Sequence, residues 1–243
     1  MKAEEVKPYD PNAAKTGQVR EMFDSIAPAY DVMNRMMTFG IDTIWRRKAV
    51  DMVGAYKPRR VLDVATGTGD LAFLIEERLK PESLLGIDLS AGMLAVARNK
   101  AVERGVADRV SFAVEDCLSL SLPDNSYDAI TVAYGVRNFE NLAQGFAEMY
   151  RVLSPGGVLC VIELSTPEQF PMRQLYKFYT YSIIPLVGRI VSRDKQAYTY
   201  LPRSVAAVAQ GEEMLDIFRA AGFRNCRLRR LTFGACTIYM GEK

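Results

Sequence analysis

The chain has 243 residues, 49% of them hydrophobic, which is enough for one domain with a sizeable core. Lysine and arginine number 31 against 29 aspartate and glutamate, so charge gives no case for nucleic acid binding. The absence of histidine from the sequence excludes histidine as a catalytic base or metal ligand. The four cysteines are far apart, so we expect no zinc site, no disulfide framework and a cytoplasmic location. We also expect no signal peptide and no membrane span, because no apolar run reaches about 18 residues.

The N-terminal part of the chain differs in pattern from the rest. Residues 1–17 are polar and contain Pro8 and Pro11, which predicts a poorly ordered tail. Apolar residues at helical spacing over 18–56 predict a helical cap. Polar and aromatic residues interleave in this cap and favour a lid over a pocket: Tyr30, Asp31, Asn34, Thr38, Phe39, Gly40, Asp42 and Trp45. We therefore divide the chain into a tail and lid over 1–56 and a main domain over 57–243.

A strand, a glycine-rich turn and a helix are predicted in succession over 60–72. The apolar run at 61–65 is typical of a buried strand in a parallel sheet. Gly67 and Gly69 end this strand, and helical spacing begins near Asp70. Such a turn leaves unpaired backbone N–H groups at a helix start, where an anionic group can bind.

Two classes of cofactor could use this turn, and Asp63 distinguishes them. The pattern Gly67-x-Gly69-x-x-Ala72 satisfies the dinucleotide fingerprint, which alone is a weak signal. Asp63 lies inside the strand, just before the glycines, where its carboxylate would repel a pyrophosphate and pair with an ammonium group. Because S-adenosylmethionine carries an ammonium group, the sequence favours it over NAD.

Strands alternate with helices through the main domain, which predicts an α/β fold with a doubly wound parallel sheet. The first five strands are predicted at 60–65, 84–88, 110–114, 127–133 and 158–164. The last two, at 223–231 and 235–240, are joined by too few residues for a crossover and should be antiparallel. Residues 166–211 interrupt the alternation as an insert. Its interleaved aromatic and basic residues suit a lid, a homo-oligomer interface or a membrane-surface contact.

Ligands of open α/β sheets bind beyond the carboxyl ends of the strands, where several polar residues of this chain fall. Asp88 ends the second strand, and its carboxylate can accept hydrogen bonds from both ribose hydroxyls. Asp116 and Cys117 follow the third strand and are predicted to contact an adenine. Arg137 and Asn138 follow the fourth strand and are predicted to face the reacting centre.

Longer segments carry a more specific signal than the glycine motif. They are FDSIAPAYDVMN (23–34), MTFGIDxxW (37–45), VLDVATGTGDLA (61–72), PDNSYDAITVAYGVRN (123–138), RVLSPGG (151–157) and AYxYLPxS (197–204). Through these segments, nearly the whole chain from Phe23 resembles the ubiquinone/menaquinone biosynthesis C-methyltransferases.

This resemblance implies a class I S-adenosylmethionine-dependent methyltransferase fold, α/β and Rossmann-like, with an antiparallel last strand. It implies contacts of S-adenosylmethionine with Thr68, Asp88, Asp116, Cys117 and Ala133, beside Asp63, Gly67 and Gly69. The implied acceptor is a prenylated hydroquinone, so we expect methylation of demethylmenaquinol in menaquinone biosynthesis, without a metal. The ubiquinone precursor is an alternative acceptor, and an NAD-dependent oxidoreductase or a non-catalytic binding subunit is the alternative of another class.

Catalysis on a hydroquinone requires the acceptor hydroxyl to lose its proton, and four residues are candidates for assisting it. Arg137 can stabilise a developing phenolate, while Asn138, Tyr30 and Asp31 are candidates for orienting or deprotonating the quinol. The chain departs from the family at Asp42, where histidine is frequent in relatives. Because the implied acceptor is prenylated, peripheral contact of the protein with the inner face of a membrane is a further expectation.

Overall fold

The structure, a computed structural model, describes residues 3–183 and 195–243. Its strands are β1 (Arg60–Val64), β2 (Ser83–Asp88), β3 (Val110–Val114), β4 (Tyr127–Ala133), β5 (Leu153–Leu164), β6 (Arg224–Leu231) and β7 (Cys236–Glu242). They form one sheet in the order β3-β2-β1-β4-β5-β7-β6. Because β7 runs antiparallel to both β5 and β6, the predicted α/β sheet with an antiparallel last hairpin is confirmed.

Helices form the predicted cap and alternate with the strands as predicted, and two more lie in the insert, where no helix was predicted. They are α1 (Lys15–Ile26), α2 (Tyr30–Thr38), α3 (Ile41–Gly54), α4 (Asp70–Leu79), α5 (Ala91–Glu103), α6 (Leu142–Val152), α7 (Met172–Phe178), α8 (Lys195–Ala207) and α9 (Glu212–Ala220). Ser90 caps α5 by accepting a hydrogen bond of 3.0 Å from the backbone N–H of Met93. Within the predicted insert, α7 and α8 are described, whereas 184–194 lie outside the described residues.

Alternate residues of β1 face two hydrophobic layers, as expected for a central strand covered on both faces. Leu62 and Val64 belong to the layer that contains Phe146 of α6 and Phe218 of α9. Val61 faces the opposite layer, which α3 and α4 cover. The parallel register of β1 with β2 and β4 brings their carboxyl ends to one edge of the sheet, where the cavities described below lie. No helix within the described ranges is both long enough and apolar enough to cross a membrane.

The expectation of a poorly ordered tail over 1–17 is wrong for the described residues from Ala3 onward. Val6 is fully buried in a cluster with Met22 of α1 and Tyr200 of α8. The Gln18 side chain accepts hydrogen bonds from the backbone N–H groups of Tyr9 and Asp10 at 2.9 and 2.8 Å. Polar composition was taken to indicate disorder. The polar groups of the tail instead form hydrogen bonds within the protein.

Lys15 fixes this tail to the turn after β4. Its ammonium group is fully buried and donates to the carbonyl oxygens of Ala3, Arg137 and Phe139 at 2.6, 2.9 and 3.2 Å. Burial lowers the pKa of Lys15 to about 8, although Glu4 and Glu140 nearby act in the opposite direction. The tail and the turn that carries Arg137 are therefore joined through one side chain.

Replacing this ammonium group should loosen the tail. We expect Lys15→Met to lower the free energy of unfolding by roughly 2–4 kcal/mol, because buried carbonyls lose their donor. Limited proteolysis should then cut before α1, and urea unfolding measures the loss of stability. The matched control is Lys7→Met, because the exposed Lys7 donates only to Pro11 O within the tail. Equal stability of the two variants would contradict the assigned role of Lys15.

Candidate functional site

A first cavity of about 730 Å³, part of it open to solvent, lies at the carboxyl ends of the parallel strands. It brings together predicted site residues from five separate segments: Tyr30, Gly67, Asp88, Asp116, Cys117, Ala133 and Asn138. Leu89 and Met93 add an apolar part to its wall. The cavity therefore combines carboxylates with apolar surface, as a nucleoside-binding site requires.

The glycine turn forms part of this wall in a conformation that favours glycine. Gly67 and Gly69 have φ values of 57° and 84°, in the left-handed region. A Cβ at Gly69 would also approach the Phe73 ring to 2.7 Å. The predicted unpaired N–H groups are not found at these two glycines: Gly67 donates to Asp88 Oδ2 at 2.8 Å and Gly69 to Thr66 O at 3.0 Å. The protein supplies acceptors for these two groups, whereas no side chain caps the helix start at Asp70, where the sequence places the unpaired N–H groups.

Asp88 links the turn to the end of β2. Its Oδ1 accepts from the backbone N–H of Ser90 at 2.9 Å, while Oδ2 accepts from Gly67, 21 positions earlier. Burial raises the pKa of Asp88 despite these hydrogen bonds. The carboxylate is thereby held in the cavity wall with acceptor capacity remaining for ligand hydroxyls.

Asp63 is a buried carboxylate below the same turn, with 1% of its surface exposed. It accepts hydrogen bonds of 2.6 Å from the hydroxyls of Thr66 and Thr131. Burial raises its pKa to about 6, and these hydroxyls and the charge of Arg46 only partly offset that effect. Asp63 lines a small cavity together with Gly67 and Thr68, so a ligand ammonium group could neutralise it there.

Asp116 and Cys117 lie in the loop after β3, as predicted. Asp116 Oδ1 accepts from the backbone N–H of Leu118 at 2.9 Å, which orients its carboxylate. Burial raises the pKa of the Cys117 thiol, so this side chain is a neutral part of the wall. Both residues line the first cavity together with Gly67 of the glycine turn.

A second cavity of about 1000 Å³ lies between the helical cap and the insert. Its described lining is Tyr30, Asn34, Met37, Thr38, Phe39, Ile41, Asp42, Trp45, Arg46, Tyr134, Arg137, Leu164, Tyr176, Tyr179, Thr180, Leu201, Thr232 and Ala235. Most of the predicted lid cluster therefore faces this cavity. Tyr30 and Tyr134 line both cavities, so the two spaces adjoin at these rings.

Four buried polar atoms in the described residues have no hydrogen-bond partner, and all four belong to the lining of the second cavity. They are Arg46 Nε, Tyr134 Oη, Arg137 Nε and Thr180 Oγ1. Unpaired buried polar groups are rare and costly, which indicates that a ligand supplies their partners. Sequence analysis did not select Arg46, Tyr134 or Thr180, because each is polar only at a position that the fold makes internal.

Arg137 enters this cavity as half of a buried ion pair. Its Nη1 lies 2.9 Å from Glu163 Oε1, and its backbone N–H donates to Glu163 Oε2 at 3.3 Å. Nη1 also donates to the carbonyl oxygen of Tyr134. The guanidinium group is thus fixed in orientation, with Nε left unpaired.

Of the two remaining candidate residues, Asn138 lines a cavity and Asp31 does not. Asn138 lines the first cavity and accepts from the Tyr200 hydroxyl at 3.2 Å. Asp31 lies outside both cavities as far as the described lining residues define them. It accepts from the Thr68 hydroxyl at 2.6 Å and pairs with Lys100 at 2.5 Å. Asp31 therefore connects the cap to the glycine turn.

Comparison with known proteins gives a full-length match. The model of the ubiE/COQ5 methyltransferase family matches residues 11–243. The chain is 49% identical to the demethylmenaquinone methyltransferase of Bacteroides fragilis, covering 99% of this chain and 98% of the relative. It is 41% identical to the ubiquinone/menaquinone biosynthesis C-methyltransferase UbiE of Geobacter sulfurreducens, covering 94% of this chain and 90% of the relative.

Solved structures with lower identity share the fold. A possible histamine N-methyltransferase of Thermotoga maritima superposes with a TM-score of 0.62 at 19% identity, covering 92% of this chain and 99% of that one. An S-adenosylmethionine-dependent methyltransferase of Aquifex aeolicus gives a TM-score of 0.55 at 20% identity, covering 75% and 81% of the two chains. The sheet order with its reversed strand is therefore the methyltransferase arrangement.

The buried Asp63 predicts a pH-dependent stability. Its folded pKa of about 6 exceeds the ordinary value of 3.8, so between these values the folded state retains a proton that the unfolded chain has released. Stability should fall as pH rises through this window, by up to about 3 kcal/mol. Asp63→Asn should lack this loss, so its stability relative to the parent protein should rise between pH 4 and pH 7 in urea unfolding.

Asp128→Asn is the control, because the pH dependence of stability that Asp128 causes should have the opposite sign to that of Asp63. Burial acts to raise the pKa of Asp128, but hydrogen bonds from Arg60 and Arg59 outweigh it and lower that pKa. The parent protein should therefore gain stability over Asp128→Asn as pH rises through the pKa of the folded protein and then that of the unfolded chain. Parallel pH profiles for Asp63→Asn and the parent protein would contradict the account of Asp63.

Proposed function

Since the chain belongs to the ubiE/COQ5 methyltransferase family, we propose that it methylates a ring carbon of demethylmenaquinol to give menaquinol. It is an S-adenosylmethionine-dependent methyltransferase by family and by fold. The observation that carries the choice of acceptor is the apolar second cavity, in which four buried polar atoms lack partners. A prenylated hydroquinone offers an apolar body and two oxygens that can satisfy such atoms.

The first cavity and the adjoining Asp63 fit the methyl donor, which supplies a methyl group on a positively charged sulfur when it is bound. Asp63 would pair with the ammonium group, because it is a buried carboxylate with a raised pKa and hydroxyl partners alone. Asp88 would accept from the ribose hydroxyls, and Asp116 with the Cys117 backbone would contact the adenine. Thr68 and Ala133 line the space between these groups.

The residues of the second cavity favour attack by a ring carbon. A free phenol has a pKa near 10, so the protein must lower this value or accept the proton. Arg137, fixed by Glu163, would stabilise the negative charge that develops on the acceptor oxygen. Tyr30, between the two cavities, would orient the ring, with Asn138 on the donor side. Arg46, Tyr134 and Arg137 are themselves buried in this lining, and low exposure to water strengthens their electrostatic interactions.

A direct assay separates this proposal from its alternatives. We expect transfer of a labelled methyl group to reduced demethylmenaquinone and none to the oxidised quinone, because only the hydroquinone has a hydroxyl to ionise. Products are identified by mass spectrometry. A demethylated benzoquinol assayed in parallel tests the ubiquinone precursor, because the name of the Geobacter relative includes both quinones. Binding of NAD with no binding of S-adenosylhomocysteine would overturn the proposal.

Arg137→Lys tests whether Arg137 stabilises the negative charge on the acceptor oxygen. The variant keeps a cation beside Glu163. We expect kcat to fall at least about 10-fold, because lysine lacks the planar fork and the unpaired Nε. The affinity for S-adenosylhomocysteine, measured by calorimetry, should change little. Arg151→Lys is the matched control, since Arg151 pairs with Glu148 and Asp124 outside both cavities. An unchanged kcat in Arg137→Lys would refute the proposed role of Arg137 in stabilising the acceptor oxygen.

We also propose that the mouth of the second cavity contacts a lipid bilayer, from which the prenylated acceptor enters. Large apolar side chains are exposed there: Phe39 by 77%, Phe178 by 64% and Phe233 by 78%. Phe39 lines the cavity, and Phe178 and Phe233 adjoin the lining residues Tyr179 and Thr232. Exposed basic residues, among them Arg35 and Lys177, are close by in sequence and would face anionic headgroups.

Vesicle flotation tests this contact. Phe39→Ser with Phe178→Ser should reduce binding to anionic vesicles at least about 10-fold, because apolar area is lost from the contact. Val114→Ser is the control, since Val114 is 54% exposed on the edge strand β3. Equal flotation of the two proteins would contradict the proposal. Self-association and a cytoplasmic location stay predictions from the sequence.

A further inference from the structure

The proposed reaction needs a group that accepts the proton of the acceptor hydroxyl, and the cavity lining restricts the choice. The sequence contains no histidine. Burial raises the pKa values of Tyr30, Tyr134 and Tyr179, which makes their phenolates scarce at neutral pH. Among the described residues that line the second cavity, Asp42 carries the sole carboxylate.

Other carboxylates near the cavities lie outside the described lining of the second cavity. Glu163 accepts from Arg137 Nη1 and from the backbone N–H groups of Arg137 and Leu164, and it is outside the described lining. Asp63 lies below the glycine turn, and Asp31 is paired with Lys100. Asp42 is therefore the carboxylate placed to meet an acceptor in the second cavity.

Asp42 stands in the first turn of α3, with 3% of its surface exposed. Its Oδ2 accepts from Arg46 Nη1, one turn later on the same helix. Its Oδ1 lies 2.6 Å from the hydroxyl of Thr38, the last residue of α2. That hydroxyl is also 2.8 Å from the carbonyl oxygen of Asn34.

This arrangement satisfies both protonation states of Asp42. A threonine hydroxyl has one hydrogen, so it can donate to only one of the two acceptors at a time. When Asp42 is ionised, Thr38 donates to it. When Asp42 carries a proton on Oδ1, it can donate to Thr38, whose own hydrogen turns to Asn34 O.

We propose that Asp42 is the general base of the methyl transfer, an inference that rests on the function proposed above. Asp42 takes the proton of an acceptor hydroxyl, and the O–H electron pair stays on oxygen and raises electron density at the adjacent ring carbon. That carbon forms the new bond to the methyl group, while the C–S electron pair remains on sulfur. The ring carbon then loses its hydrogen as a proton to water, and Asp42 returns its proton to the oxygen.

Arg46 and Tyr134 line the second cavity together with Asp42. The guanidinium carbon of Arg46 lies 5.1 Å from the centre of the Tyr134 ring. Arg46 Nε and the Tyr134 hydroxyl are both buried without partners. Once Asp42 has accepted a proton, Arg46 is left as an uncompensated cation that faces the phenolate. Arg137, which stays paired with Glu163, would donate to the same oxygen as it develops charge.

Asp42→Asn keeps the hydrogen bonds to Arg46 and Thr38 but removes the base. With demethylmenaquinol we expect kcat to fall about 100-fold or more, with KM and the affinity for S-adenosylhomocysteine within about threefold. Asp51→Asn is the matched control on the same helix, where Asp51 forms an exposed pair with Arg78. Thr38→Val is a second variant and should lose activity in the same direction, because it removes the hydroxyl that accepts the proton of Asp42.

A series of naphthohydroquinones with electron-withdrawing substituents distinguishes a base from a structural residue. As the hydroxyl becomes more acidic, the acceptor ionises without help, so the activity of Asp42→Asn should recover towards that of the parent protein. A structural defect would lower activity on every acceptor by the same factor. Parent-like kcat in Asp42→Asn, or an equal loss across the series, would overturn the inference and leave the proposed function intact. Failure of the parent protein to methylate any member would overturn both.

Discussion

The buried ion pair between Arg137 and Glu163 joins the parts of the molecule that form the two cavities. Arg137 donates to the carbonyl of Tyr134 at the end of β4, and its own carbonyl accepts from Lys15 of the N-terminal helix. A buried pair of this kind contributes little net stability, because desolvation offsets attraction. Its evident effect is positional, since it holds a cation between the donor space and the acceptor space.

The charged side chains around the two cavities differ between the donor side and the acceptor side. On the donor side, Asp63 and Asp88 are buried carboxylates with raised pKa values, which a cationic ligand would relieve. On the acceptor side, Arg46 and Arg137 are each neutralised by one carboxylate and each keep an unpaired Nε. Such an environment favours a reaction in which a cationic donor and an ionising phenol both lose their charge.

The sequence predicted those features that depend on local pattern. The glycine turn and the strand-end Asp88 could be placed because a βαβ unit fixes their spacing, and they meet in one hydrogen bond. The antiparallel hairpin followed from the short loop before β7. These inferences needed only the period of a strand, the reach of a loop and the parallel order of the sheet.

Features that depend on distant partners escaped prediction. From sequence alone, Lys15 would be assigned to the surface. Its burial depends on the carbonyls of Arg137 and Phe139, which are distant in sequence. Asp31 belonged to the predicted lid, but Lys100 of α5 holds it against the glycine turn. Arg46 follows the helical pattern of α3, and only burial beside Tyr134 reveals its unpaired Nε.

The most direct test is a crystal structure of the protein with S-adenosylhomocysteine and a reduced menaquinone analogue. The account predicts the nucleoside in the first cavity, with its ribose on Asp88 and its amino group on Asp63. It predicts the hydroquinone ring in the second cavity, with the oxygen that ionises within hydrogen-bond distance of Asp42 and of Arg137. A ring bound elsewhere, or bound with neither oxygen near these two side chains, would contradict it.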